Sequence, residues 1–314
     1  MIVEDPILEG AILEDAIRED AIREDAIPDR ASANTALAAR ALRDGTLALS
    51  ATAIDASTVF AMQRDINPLT RTLITPKHAR MRLLSASDFI PARFPVALAD
   101  DEVHLWLLAA DSGPDAPHRY ASRVSRLLAA YLGCAPDGVR VAIGEHGKPF
   151  LDGPVVTGPV PAGTRAFDFN VSHCRGALLV GIARGQELGV DIESQHRKRP
   201  VLDLARRFFA AAEASALAGL DEPQRQTAFL RLWSCKEAVV KAIGIGIGFG
   251  LARMQFGIDP AGEPVELSVI HASAGAIEDW HVVRLAPTSA HVGALAWRGP
   301  PLRVRAFVAA ADWT

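Results

Sequence analysis

From Glu102 to Val308 the chain alternates short apolar runs of strand length with three helical patterns, and it shows few regular strand–helix–strand repeats. That texture admits an α+β fold and argues against a doubly wound parallel sheet. Strands are expected at Val103–Leu108, Val139–Ile143, Ala166–Val171, Ala177–Ala183, Leu188–Ile192, Val265–Ile270, His281–Leu285, Val292–Trp297 and Leu302–Val308. Helices are expected at Arg119–Tyr131, where Val124, Leu127, Leu128 and Tyr131 fall at helical spacing, at Val201–Phe209 and at Thr227–Ile243. Gly147-Lys148-Pro149 and Ser172–Gly176 read as turns.

Residues 1–100 have another texture. Five-residue units, clearest as EDAIR over 14–27, place isoleucines at 7, 12, 17, 22 and 27. Each step turns a helix by about 140°, so the apolar residues spiral around it, and an odd period alternates faces of a strand. Neither pattern builds a core, and a low-complexity tail is the expectation. An alanine-rich stretch at 31–49 suits a helix, and a basic stretch at 70–82 suits a solvated surface. Domain boundaries are therefore expected near residues 100 and 186, giving an extension and two folded halves.

Bulk properties exclude some classes. A net charge of −4 and a pI near 6.1 do not favour a nucleic-acid partner. Three cysteines without CxxC spacing fit neither a disulfide framework nor a zinc site and suit a reducing cytosol. No apolar run reaches the roughly 18 residues of a membrane span.

Four local features carry chemistry. In Gly189-Val190-Asp191-Ile192-Glu193 a strand period puts both carboxylates on one face and Val190 and Ile192 on the other. Two hard oxygen donors at a strand end suit Mg²⁺, although an exposed, salt-bridged face would look the same. In Trp233-Ser234-Cys235-Lys236-Glu237-Ala238-Val239-Val240-Lys241, residues 233, 237 and 241 share a helix face. Glu237 is then a third candidate ligand and Lys241 a candidate phosphate contact, against the plainer alternative of a surface Glu–Lys pair. Ser172-His173 at a strand end is placed to hydrogen-bond a ligand, and it lies in no GxSxG elbow. Gly147-Lys148-Pro149-Phe150 offers a backbone turn and one positive charge. The alternate glycines from Gly244 to Gly250 follow a helix rather than open one, so they read as a helix stop and not as a dinucleotide fingerprint.

In order, GKPF, FNVSHC, GVDIE, ARRFF with Ala212-Glu213, WSCKEAVVKA and KAIGIG resemble the Sfp-type 4′-phosphopantetheinyl transferases over about residues 102–310. The resemblance implies two similar α+β halves related by a pseudo-twofold axis, with coenzyme A between them. It implies Asp191, Glu193 and Glu237 as Mg²⁺ ligands, Lys241 at the pyrophosphate, and Lys236, beside Glu237, as a further contact to the phosphates. His173 with Ser172 would bind phosphates, Lys148 and Pro149 would line the nucleotide pocket, and Arg119 would meet the 3′-phosphate or adenine. The implied reaction moves phosphopantetheine from coenzyme A to a serine of an apo acyl or peptidyl carrier protein. Glu237, or a water it orients, would take the serine proton. A cytoplasmic monomer is implied. One departure stands out: residues 109–117, AADSGPDAP, replace a charge-rich helix of the family, which weakens the expectation of ordinary coenzyme A affinity. The competing readings are a metal-dependent phosphohydrolase and an inactive, transferase-like binding protein.

Overall fold

The computed structural model describes residues 80–93, 96–109, 116–152, 167–196 and 198–309. The chain divides into two units, and all described residues belong to the one that includes residues 78–314. The five-residue repeat, the alanine-rich stretch and residues 70–79 of the basic stretch lie outside the described residues.

Two units of strand–helix–strand–strand form the frame. The first is β3 (Glu102–Ala109), α1 (Ala116–Leu132), β6 (Phe167–Cys174) and β7 (Ala177–Arg184). The second is β8 (Leu188–Ser194), α4 (Gln224–Ile243), β11 (Trp280–Thr288) and β12 (His291–Arg298). In both, the first strand pairs antiparallel with the third, and the third with the second: β3-β7-β6 and β8-β12-β11. This internal repetition is the expected pair of similar α+β halves. Between β8 and α4 lie α2 (Val201–Phe208) and α3 (Ala211–Ala218). Two small hairpins complete it: β4 (Val141–Ile143) with β5 (Pro149–Leu151), and β9 (Met254–Ile258) with β10 (Pro264–Ile270).

Each sheet is widened by a parallel strand from elsewhere. β13 (Arg303–Ala309) lies beside β3, in the first half's sheet, although it is last in sequence. β1 (Leu83–Ser85) joins β11 and β2 (Phe89–Ala92) joins β13, so ten residues stitch both sheets. The period gave no hint of these two strands, because each has few residues and Leu83 and Ile90 are exposed. Pro91 is tolerated because β2 is an edge strand.

The inner faces of the sheets meet in one core that includes Leu105, Leu107, Leu179, Val190, Ile192, Leu285 and Leu295. A second cluster packs α1, through Val124, Leu127 and Leu128, on the other face of β3, β6 and β7. Among the described residues no helix is long and apolar enough to cross a membrane.

A buried polar chain sits within that second layer. Trp106 Nε1 donates to Tyr131 Oη at 2.7 Å, Tyr131 Oη lies 2.7 Å from His104 Nδ1, and His104 Nε2 lies 3.3 Å from Glu102 Oε2. Burial pulls the His104 imidazole down to about 4, against the opposing pull of Glu102. The ring stays neutral in the fold, whereas the unfolded chain takes up its proton near pH 6.5. Stability is therefore full above about pH 6.5 and falls as the pH drops toward 4, by about 3 kcal/mol at most. Urea unfolding at pH 7 and pH 5 should show a larger loss for the wild-type chain than for His104→Gln.

Candidate active site

β8 is buried along its whole length, which a half-exposed strand would not be. Val190 and Ile192 enter the inter-sheet core. The opposite face, with Gly189, Asp191 and Glu193, meets α4 instead of solvent. Gly189 makes that approach possible: a Cβ there would sit 2.1 Å from the Ala238 carbonyl oxygen and 2.4 Å from the Ala242 nitrogen. Helix and strand touch backbone to backbone, one residue from Glu237 at Ala238 and one residue from Lys241 at Ala242.

The plainer readings of both motifs fail on burial. Asp191 is 0% exposed, Glu193 3%, Glu237 5% and Lys241 7%, so neither a solvated acidic face nor a surface Glu–Lys pair exists here. Lys241 Nζ lies 3.3 Å from Asp191 Oδ1, joining the two motifs across 50 residues of sequence. Glu193 Oε2 accepts from Arg199 Nη2 at 2.8 Å. Carboxylates thus outnumber cations three to two among Asp191, Glu193, Glu237, Lys241 and Arg199, in a setting where buried charge needs compensation. The donors are hard oxygens of the kind Mg²⁺ takes. Among the described residues, however, no group of three or more His, Cys, Asp or Glu side chains gathers as a metal cage. The chain's own Lys241 and Arg199 hold two of the three carboxylates.

Lys236 does not belong with them. It is 0% exposed and turned away from Glu237's face, with Nζ 2.8 Å from Glu213 Oε2, 2.9 Å from the Leu251 oxygen and 2.7 Å from the Met254 oxygen. Those partners satisfy all three ammonium donors, so the expected phosphate contact gives way to a structural one. Burial lowers its pKa, and Glu213 opposes the shift. Glu213 also accepts from the Ala210 and Phe256 amides, tying α3 and β9 to α4. Lys236→Met leaves the Glu213 carboxylate buried and should cost about 3–5 kcal/mol, read by denaturant unfolding.

Ser172 and His173 are also separated. They lie within β6, not in a turn, and successive strand residues face opposite ways. Ser172 is buried toward β8, where its Oγ donates to Asp191 Oδ1 at 3.0 Å. His173, half-buried, sets its ring 5.0 Å from that of Tyr120 on α1. The turn itself is Arg175-Gly176.

Lys148 leads into β5 and reaches toward the end of α4, with Nζ 3.5 Å from the Ala242 oxygen. A cation suits a helix C-terminus. Burial lowers its pKa, opposed by Glu187 and Asp168. Gly244 ends α4 at φ +78°, the expected stop, and passes within 3.4 Å of the Lys148 Cδ, measured from where a Cβ would stand. Pro149 opens β5. Arg119 lies on α1. Residues 110–115, most of the segment that replaces the charge-rich helix, lie outside the described residues. Burial pushes the Cys235 thiol up to about 12, so it is no nucleophile.

Three contributors escaped the sequence reading. Arg199 sits in a basic run, HRKR, that looks like any solvated loop. Glu213 was legible only as part of a family motif. Asn170, two residues before Ser172, shares its face by strand period, and that signal was available.

Residues 187–296, from the start of the β8 segment through β12, match the model of the 4′-phosphopantetheinyl transferase superfamily. Over that segment the chain is similar to the 4′-phosphopantetheinyl transferase superfamily. The match runs over the segment that supplies Asp191, Glu193, Glu237 and Lys241. The chain is 27% identical over 242 residues to the 4′-phosphopantetheinyl transferase HetI of Nostoc sp., covering 67% of this chain and 94% of that protein. It is 38% identical over 136 residues to a putative 4′-phosphopantetheinyl transferase of Synechocystis sp., covering 43% of this chain and 51% of that one. Against the 4′-phosphopantetheinyl transferase of Bacillus subtilis identity is 33% over 119 residues, 38% of this chain and 47% of the other.

Proposed function

We propose that this chain transfers the 4′-phosphopantetheine group of coenzyme A to a serine of an apo acyl or peptidyl carrier protein, in a Mg²⁺-dependent reaction that releases 3′,5′-ADP. The observation that supports it best is the joining of Asp191 to Lys241 across the β8–α4 contact, inside the segment that matches the superfamily. Residues 101–186 and 187–314 are read as the two halves that bind coenzyme A between them, with β13 of the second crossing into the sheet of the first.

Asp191, Glu193 and Glu237 would hold the ion, which supplies positive charge to the pyrophosphate oxygens as charge spreads over them. Lys241 adds a second positive charge. Its Nζ is held beside the Asp191 carboxylate. The serine oxygen forms a bond to the β-phosphorus, the bond from that phosphorus to the bridging oxygen breaks, and 3′,5′-ADP departs with that oxygen. Glu237, or a water it orients, accepts the serine proton. His173 offers a ring nitrogen to phosphate, with Tyr120 packed against it. Arg119 meets the 3′-phosphate or adenine, and Lys148 and Pro149 line the nucleotide side.

Chromatography of the nucleotide products tests the reading. With coenzyme A, Mg²⁺ and an apo carrier, 3′,5′-ADP should appear in proportion to carrier consumed and should vanish with EDTA. Phosphate release from simple esters without a carrier would contradict it.

A further inference from the structure

β6 is the outer strand of one sheet and β8 of the other, and among the described residues they share no backbone ladder. Side chains join them instead. The Val190 amide donates to Asn170 Oδ1 at 2.8 Å, and the Ile192 amide donates to Ser172 Oγ at 3.3 Å. The two contacts are two residues apart on both strands, in step with the strand period. They satisfy the β8 amides on either side of Asp191. The hydroxyl proton of Ser172 goes to Asp191 Oδ1 at 3.0 Å, the same oxygen that Lys241 Nζ approaches at 3.3 Å. Asn170 is 1% exposed and Ser172 3%.

A serine has one hydroxyl proton, so a hydroxyl committed to Asp191 in a closed interior does not serve a substrate phosphate. What it does serve is orientation. The last torsion of an aspartate is broad and roughly two-fold, so the carboxylate's two oxygens exchange readily unless donors distinguish them. Two donors on Oδ1 distinguish them here, and the amides of residues 190 and 192 hold the backbone beneath. We propose that Ser172 is a positioning residue: its hydroxyl, seated by Asn170's parallel contact, fixes the Asp191 carboxylate for metal binding rather than binding coenzyme A. The inference rests on the reading of Asp191 as a metal ligand. Partners that hydrogen-bond a ligating carboxylate are worth about 10–100-fold in metal affinity.

The test uses the full chain with coenzyme A, Mn²⁺ as a probe followed by electron paramagnetic resonance, and steady-state transfer at varied Mg²⁺ and coenzyme A. Ser172→Ala and Ser172→Cys remove or weaken the donor, the cysteine with little change in shape. Ser172→Thr keeps it. Alanine and cysteine variants should bind Mn²⁺ about 10–100-fold more weakly and need correspondingly more Mg²⁺. Their KM for coenzyme A should stay within about twofold, and threonine should restore the metal response. A raised KM for coenzyme A with unchanged Mn²⁺ affinity in the cysteine variant would overturn the inference and return Ser172 to the phosphates. A wild-type chain that transfers but binds no Mn²⁺ would instead overturn the metal reading itself.

Discussion

Asparagine at position 191 should lower the rate of transfer by about a thousandfold or more. The side chain is fully buried, and its Oδ1 takes both Ser172 and Lys241. An amide keeps the volume and an acceptor for Ser172, so the strand contact survives. What it removes is charge. The proposed hard ligand is lost, and the Lys241 ammonium is left in a buried site without the Asp191 carboxylate. Removing one partner of a buried pair costs about 3–5 kcal/mol in general, and on the proposed reading the charge that would stabilise the transferring phosphoryl group disappears with it. The rate of 3′,5′-ADP formation, set beside a circular dichroism spectrum, reads this directly. A rate within tenfold of wild type would place the chemistry elsewhere.

Alanine at Gly189 should have the second largest effect, without touching any charged group. The added methyl would meet backbone atoms at 2.1 Å and 2.4 Å, and backbone cannot rotate aside as a flexible side chain does. α4 must move off β8 by an amount on the order of 1 Å, and displacements of that size can cost about a hundredfold in rate. Overpacking adds about 1–3 kcal/mol of instability. A lowered melting temperature together with a rate loss of about two orders of magnitude is the expected pair of results. Near-normal activity would mean that the helix–strand contact does not set the spacing of Asp191, Glu237 and Lys241.

The parts of this molecule that the sequence revealed are those whose pattern is local. β8 and α4 show their period plainly, and Gly244 shows where the helix stops. Burial was not local information. Val190 and Ile192 mark one face of β8 as core, but only the α4 contact at Gly189 closes the other, which the strand period alone leaves open to water. The same gap explains Lys236: its three partners come from residues 213, 251 and 254, none of them adjacent in sequence. Ser172 and His173 are neighbours in sequence, whereas the strand sends them to opposite sides. β1 and β2 are held by β11 and β13, some 200 residues later, and their own composition says little.

The most direct measurement is the intact mass of an apo carrier protein after incubation with this chain, coenzyme A and Mg²⁺, with Glu237→Ala run alongside. The expected result is a gain of one phosphopantetheine on the carrier that is absent with the variant. An unmodified mass across fatty acid, polyketide and nonribosomal peptide carriers, or an equal gain with the variant, would contradict the transfer reaction or the site assigned to it.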